Sequence, residues 1–234
     1  MILASQYKVI KFVKLCYHKD NIMQGIDIIF YIAVLIMSVV IHEVSHGYAA
    51  LYWGDQTARL AGRLTLNPLK HLDPVGSVLI PLILVITKAG IIFGWARPVP
   101  YNPNNLRNQK WGTLSVAAAG ILANLLVAVV FSVLLRAAYA FNFESPAFYS
   151  IATIIVLLNI VLAVFNLVPI PPLDGSKILF SLLPPRFRNI QYFLERYSLF
   201  ILLFFIFFLW KYLSAVIFYL FGLFTGTQFT GIGF

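Results

Sequence analysis

The chain has 234 residues, of which 61% are apolar and only 11% are charged, whereas a soluble domain carries about 25% charged residues. This composition predicts an integral membrane protein and excludes an ordinary soluble enzyme. The formal net charge is +9, but the basic residues lie in short polar connections, where we expect topology signals and lipid contacts rather than nucleic-acid binding. Cys16 is the single cysteine, which excludes an intrachain disulfide.

Residues 1–26 form a basic N-terminal segment. Four lysines interrupt its apolar residues, which is unlike the uninterrupted apolar core of a secretory signal peptide. Two interpretations remain open for this segment. It is either an amphipathic stretch that lies on the membrane surface or a solvated leader.

Four segments are long enough to cross a bilayer as helices, since a core of ~30 Å requires ~20 apolar residues. They are residues 27–53, 113–140, 148–170 and 197–224. The connections between them are short, so we expect no separate soluble domain. The sequence therefore predicts an all-α polytopic membrane protein, a helical bundle in the bilayer.

The region after the first span does not read as helix. Leu64 and Leu66 alternate with polar residues, which is the period of a half-buried strand. A fifth apolar segment, residues 75–93, is short and is interrupted by proline, lysine and glycine. Pro98 and Pro100 then exclude helix and indicate an extended loop. We predict a small strand-like or re-entrant region here.

The first span contains His42-Glu43-Val44-Ser45-His46. Residues at positions i and i+4 of a helix share one face, so both imidazoles can bind one metal ion, with Glu43 beside them. Ionisable residues inside a span cost at least ~2.5 kcal/mol and usually serve a function. The alternative interpretation is that the three polar side chains lie at the membrane interface, near a helix end.

A catalytic zinc ion usually has three protein ligands and one open position, so a third ligand is needed. The candidates are Asp174, His71, Asp73, Asp27 and Asp55. Asp174 has the most specific context, because it follows a proline-rich break after the third span and precedes Gly175. A carboxylate on such a turn can point into a bundle.

Three motifs together resemble the site-2 protease family of intramembrane zinc metalloproteases. They are "HEVSHG" in the first span, "AAAGILANLL" in the second and "NLVPIPPLDG" at the end of the third. The resemblance covers residues 27–183 and is to the compact branch without PDZ or CBS domains. It implies that His42, His46 and Asp174 bind one Zn²⁺, and that Glu43 is the general base for a zinc-activated water. The implied substrates are peptide bonds in or near transmembrane segments of membrane proteins.

The resemblance sets the expected organisation of the chain. Residues 1–26 are the basic N-terminal segment, residues 27–183 are the metalloprotease core, and residues 184–234 are a loop followed by an additional transmembrane helix. His46 and Asp174 both lie near the C-terminal ends of their spans. One metal ion needs both ends on the same side of the membrane, and a full crossing by residues 75–93 would put Asp174 opposite His46. We therefore predict that residues 75–93 are re-entrant or lie at the membrane surface. The basic residues of the loops then lie on the active-site side of the membrane, and the positive-inside rule predicts that this side faces the cytoplasm. We expect a multi-pass protein of the cell membrane.

Two further polar residues lie inside spans. Asn166 is interpreted equally well as an oxyanion or substrate contact and as an interhelical hydrogen-bonding residue, whereas the structural interpretation is favoured for Asn124. The rival function for the whole cluster is a metal-ion or proton transporter that uses His42, His46 and Asp174 transiently. A transport site has no need for Glu43 next to its first ligand, so we favour the protease.

Overall fold

The computed structural model describes residues 21–79, 83, 86–87 and 96–226, and the regular secondary structure of these residues is helical. Eight α-helices occur in this part of the chain. They are α1 (Asn21–Tyr52), α2 (Thr57–Leu60), α3 (Gln109–Ala140), α4 (Pro146–Leu167), α5 (Asp174–Leu182), α6 (Arg188–Arg196), α7 (Ser198–Phe204) and α8 (Trp210–Thr225). Short 3₁₀ segments at Pro68–Lys70, Pro103–Asn105 and Pro185–Phe187 begin with proline, which the first turn of a helix tolerates.

Four helical stretches are long and apolar enough to cross a membrane, as predicted. They are Phe30–Tyr52, Gln109–Ala140, Pro146–Leu167 and Ser198–Thr225. The last one is continuous but contains a π-helical turn, Phe205–Leu209, between α7 and α8. The third ends at Leu167, earlier than predicted, because Pro169 follows and helices usually end before a proline. The protein is therefore an all-α polytopic membrane protein.

The predicted strand-like region contains no strand among the described residues. Leu64 to Asn67 form neither helix nor strand, and residues 96–102 are likewise irregular. Pro74–Leu79 form a π-helical segment. Residues 80–82, 84–85 and 88–95 lie outside the described part, as do residues 1–20, so the re-entrant segment and the basic N-terminal segment stay predictions.

The described residues divide into two compact units. One unit contains the described parts of 1–38, 124–165 and 199–234. Its apolar core is built by α3, α4 and α8 through seven buried residues, Ala128, Leu135, Ala152, Val156, Ile160, Ile217 and Phe221. The small alanines on α3 and α4 let the helix backbones approach closely, as is usual for transmembrane helices.

Buried amides cross-link three helices of this unit. Asn124 on α3 donates from Nδ2 to Asn159 Oδ1 at 2.8 Å, and Asn159 on α4 donates to Ser38 Oγ on α1 at 2.9 Å. Both asparagines are fully buried. In lipid a polar side chain has no water as partner, so such bonds hold helices together. The structural interpretation of Asn124 rests on these contacts.

The second unit contains residues 39–123 and 166–198. It includes the C-terminal half of α1, the N-terminal part of α3, the loop between them, and α5 and α6. Gly47 on α1 lies so close to the loop that a Cβ there would come within 2.5 Å of Leu64 Cδ2 and 2.9 Å of Val99 Cγ1. This unit contains all of the predicted metal ligands.

Candidate metal centre

Three side chains converge in this unit. His42 Nε2 and His46 Nε2 each lie 3.0 Å from Asp174 Oδ2. All three residues are buried, and they form the one group of metal-ligating side chains found among the described residues. Their ligand atoms lie within 4.8 Å of one another.

The histidines reach this point because α1 places them one turn apart. Their ring centroids are 4.5 Å apart and the ring planes are nearly perpendicular, at 88°. His46 Nδ1 lies 2.6 Å from the carbonyl oxygen of Val116 on α3. A carbonyl can only accept, so Nδ1 carries a proton, and Nε2 is the nitrogen that faces Asp174 and is left to bind a metal ion. Such a backbone partner fixes the ring orientation of a metal-ligating histidine.

Gly120 on α3 provides the space for both rings. A Cβ at this position would lie 2.6 Å from Cε1 of His42 and 2.6 Å from Cε1 of His46. No carbon atom tolerates contacts this short, so the close approach requires glycine. The atoms nearest to this position thus belong to the two histidines that are the candidate metal ligands.

Asp174 is placed by the proline-rich turn and is the first residue of α5. A carboxylate in the first helical turn interacts favourably with the helix dipole. Gly175 follows it with a helical backbone, and a Cβ there would overlap the carbonyl groups of Leu167 and Val168. The glycine lets the start of α5 pack directly against the end of α4.

Lys177 holds the other oxygen of this carboxylate, since its Nζ lies 2.9 Å from Asp174 Oδ1. Burial opposes ionisation of Asp174, but hydrogen bonds with His42 and His46 and the charge on Lys177 lower its pKa well below the usual range. Burial favours the neutral amine of Lys177, but the negative charge of Asp174 and the hydrogen bond to it act in the opposite direction, and the pKa of the lysine is raised. Both groups are therefore charged at neutral pH.

Tyr101 also lies within electrostatic range of this pair. The pKa of the Tyr101 phenol is raised, mainly because the side chain is buried. A phenol is neutral near pH 7 even without this shift, so Tyr101 adds no charge to the pair.

Glu43 is half-buried on α1 between the two histidines. Its Oε2 accepts a hydrogen bond of 2.8 Å from the backbone N–H of Val99. The carboxylate thus does not join the three ligand atoms and has a separate partner in the loop.

The other sequence candidates lie elsewhere. Asp55 accepts hydrogen bonds from the loop that contains Asn102 and Asn105. His71 is buried, and its Nε2 lies 2.8 Å from the carbonyl of Thr65, as expected for a loop histidine. Asp73 Oδ1 accepts from the backbone of the following π-helical turn. Asn166 is half-buried near the end of α4.

Sequence reasoning missed three contributors to the site. They are Gly120, Lys177 and the backbone N–H of Val99. Lys177 had a readable signal, because it stands three residues after Asp174 and a helix brings such residues together. The Val99 contact had none, since 56 residues separate it from Glu43.

The donor set fits zinc. Two imidazole nitrogens and one carboxylate oxygen, with one position open, are the ligands of a catalytic zinc site. Ligands at about 2.0–2.1 Å from a tetrahedral ion lie about 3.3 Å from one another, close to the 3.0 Å separations between each histidine and Asp174.

We expect Lys177→Met to weaken zinc binding by roughly 10–100-fold, the usual effect of losing a group that orients a metal ligand. Without the ammonium group, Asp174 Oδ1 loses its partner and the carboxylate can rotate. Competition with a chelator of known affinity measures the change. Lys177→Arg, which keeps the positive charge, should retain most of the affinity, and equal affinity of Lys177→Met and wild type would contradict the prediction.

Comparison with known proteins gives the family. Residues 30–209 match the model of Peptidase family M50. The chain is 44% identical over 159 residues to the Bacillus subtilis (strain 168) protein named "Putative zinc metalloprotease YwhC", covering 66% of this chain and 69% of that protein. It is 36% identical over 147 residues to "Putative zinc metalloprotease Rip2" of Mycolicibacterium smegmatis, covering 62% of this chain and 53% of that protein.

The matched region thus spans about half the length of the Mycolicibacterium relative. No solved structure matches the chain significantly. The family match includes both histidines, Glu43 and Asp174, so it covers the whole cluster described above. The chain belongs to peptidase family M50, the site-2 protease family, and is a zinc metalloprotease of the membrane.

Proposed function

We propose that the protein hydrolyses peptide bonds in or near transmembrane segments of other membrane proteins, with Glu43 as general base. His42, His46 and Asp174 hold one zinc ion. The observation that carries this proposal is the convergence of Nε2 of both histidines and Oδ2 of Asp174, with a carboxylate on the next residue of the same helix.

Each residue has one task in this mechanism. When bound, zinc would supply a Lewis acid that lowers the pKa of water towards neutrality and polarises a peptide carbonyl. Glu43 takes a proton from the attacking water and delivers it to the leaving amine nitrogen. His46 is kept in the ligating tautomer by the carbonyl of Val116, and Lys177 fixes Asp174.

An oxyanion contact completes the proposal. Asn166 is half-buried in the last turn of α4, just before the proline-rich turn that leads to Asp174. Its amide is the candidate donor to the developing oxyanion or to the substrate backbone. The amide nitrogen of Asn124 instead donates to Asn159, which favours a structural role.

The location follows from the same reasoning. The substrate is in the lipid, so the catalytic water and its activating groups have to be brought there. We propose that the protein lies in the cell membrane with its catalytic side facing the cytoplasm, because the basic loops follow the positive-inside rule. The transporter alternative is not favoured, since the family of the chain is one of peptidases.

Glu43→Gln should lower kcat by at least about 100-fold, the lower bound for the contribution of a general base. Glutamine has nearly the same shape and cannot take the proton. The test uses purified protein in detergent, a generic transmembrane peptide, mass spectrometry of the products and metal analysis. Zinc content should equal that of wild type.

Glu144→Gln is the matched control, because it removes an exposed carboxylate from the loop after α3 and should leave kcat unchanged. Cleavage by Glu43→Gln at the wild-type rate would overturn the proposal. So would a wild-type protein that contains zinc but cleaves none of a set of transmembrane peptides.

A further inference from the structure

The loop Ala96–Asn102 presents a single backbone donor to the candidate active site. Pro98 and Pro100 have no N–H group, so the N–H of Val99 is the one donor between Arg97 and Tyr101. It donates to Glu43 Oε2 at 2.8 Å. Because proline flanks Val99 on both sides, the hydrogen bond to Glu43 uses the one backbone N–H of residues 98–100.

The loop lies close to α1 next to Glu43. Gly47 is one turn after Glu43, and a Cβ on it would come within 2.9 Å of Val99 Cγ1. Val99 itself is buried. The absence of a side chain on Gly47 therefore lets the loop approach close enough for the Val99 N–H to reach the carboxylate.

A buried arginine fixes the loop before Val99. Arg63 is only 8% exposed, and its Nη2 donates to the carbonyl of Arg97 at 2.7 Å and to that of Pro98 at 3.3 Å. The N–H of Arg97 donates to the carbonyl of His71 at 2.8 Å. Burying a guanidinium group is costly unless it is hydrogen-bonded, so this contact holds the backbone strongly in place.

A buried aspartate fixes the loop after Val99. Asp55 is fully buried, and its Oδ2 accepts from the N–H of Asn102 at 2.6 Å. Its Oδ1 accepts from Asn105 Nδ2 at 2.9 Å. Val99 thus lies between two charged anchors, each of which bonds the loop rather than the metal ligands.

We propose that the backbone N–H of Val99 is a positioning group for Glu43, and that Arg63 holds it in place. This inference rests on the proposed function, because it assigns a task to the partner of the general base. Glutamate has three rotatable side-chain torsions, and a general base has to lie within hydrogen-bond reach of the proton that it takes. Fixing Oε2 to Val99 leaves Oε1 for the water.

Val99→Pro tests the donor directly in the full-length protein. The substitution deletes the N–H in a stretch whose neighbours are already prolines. A displacement of about 1 Å can cost about 100-fold in rate, so we expect kcat to fall roughly 10–100-fold while KM and zinc affinity stay within about twofold. Val99→Ala is the matched comparison, because it removes side-chain volume but keeps the N–H, and its kcat should lie well above that of Val99→Pro.

Arg63 gives a second test that leaves the loop backbone chemically intact. Arg63→Met should lower kcat in the same way without loss of zinc, and Arg63→Lys should restore part of the rate because it keeps a donor. If Val99→Pro loses zinc as well as activity, the variant has misfolded, and the inference is then tested by Arg63→Met and Arg63→Lys. A wild-type kcat in Arg63→Met would then overturn the inference.

Glu43→Gln separates the two proposals. If Glu43→Gln is inactive and Val99→Pro is as active as wild type, the positioning role is wrong and the proposed function stands. An equal loss of kcat in Val99→Ala and Val99→Pro would also overturn the positioning role. If Glu43→Gln cleaves at the wild-type rate, the proposed function fails, and the inference fails with it.

Discussion

Asp174→Ala should abolish both zinc binding and cleavage. The substitution removes one of three ligand atoms, and it also removes the carboxylate partner of the half-buried Lys177 ammonium group. Loss of an outer-shell partner costs about 10–100-fold in metal affinity, and the loss of a ligand should exceed this. Metal analysis after dialysis and chelator competition measure the effect.

Asp73→Ala serves as the control for Asp174→Ala. Asp73 bonds the backbone of its own turn and does not belong to the metal-ligating group found among the described residues. It should bind zinc like wild type. Stoichiometric zinc with wild-type affinity in Asp174→Ala would show that the ligand set is wrong, even if cleavage were lost.

Gly120→Ala should disrupt the zinc site with a single methyl group. The new Cβ would lie 2.6 Å from a ring carbon of each histidine. A ring can move away only by leaving its ligating direction, and for His46 this also breaks the hydrogen bond to Val116. We expect zinc affinity to fall by more than about 100-fold, beyond the range for outer-shell changes, and cleavage to fall with it.

The same substitution should make the helix itself more stable while zinc affinity falls, so the two effects can be told apart. Alanine stabilises a helix interior relative to glycine by roughly 0.5–1 kcal/mol, so a general loss of folding is not the expected cause. Gly112→Ala on the same helix is the matched control. Its Cβ would come within 3.0 Å of the side chain of Leu106, well away from the histidine rings. Equal zinc affinity in Gly120→Ala and Gly112→Ala would contradict the proposed role of Gly120.

The helical membrane fold was predictable from local patterns of sequence. A span requires about 20 apolar residues, and four such stretches are visible without any knowledge of tertiary contacts. Their ends shifted by a few residues because prolines and loops define the true boundaries. Pro169, for example, ends α4 at Leu167. The strand-like alternation at Leu64 and Leu66 did not produce a strand among the described residues, since alternation alone supplies no partner for the backbone hydrogen bonds.

The cluster of candidate metal ligands was predictable for a similar reason. His42 and His46 lie on one helix face because of helical periodicity alone. Asp174 was one of several acidic or histidine candidates. Its proline-rich context favoured it, and the resemblance then implied the same residue. The structure brings its Oδ2 to 3.0 Å from Nε2 of both histidines. His42 stands 132 residues earlier in the chain, and no local sequence pattern reports a distance between residues so far apart.

The sequence by itself thus determined the membrane class, the helices and the residue types of a zinc peptidase site. Periodicity, apolar length and short motifs are local properties, and they are written in consecutive residues. Tertiary structure alone decided that Gly120 makes room for the imidazoles, that Lys177 holds Asp174, and that the Val99 N–H bonds Glu43. These contacts depend on the distance between separate segments to within a few tenths of an ångström, and packing sets that distance.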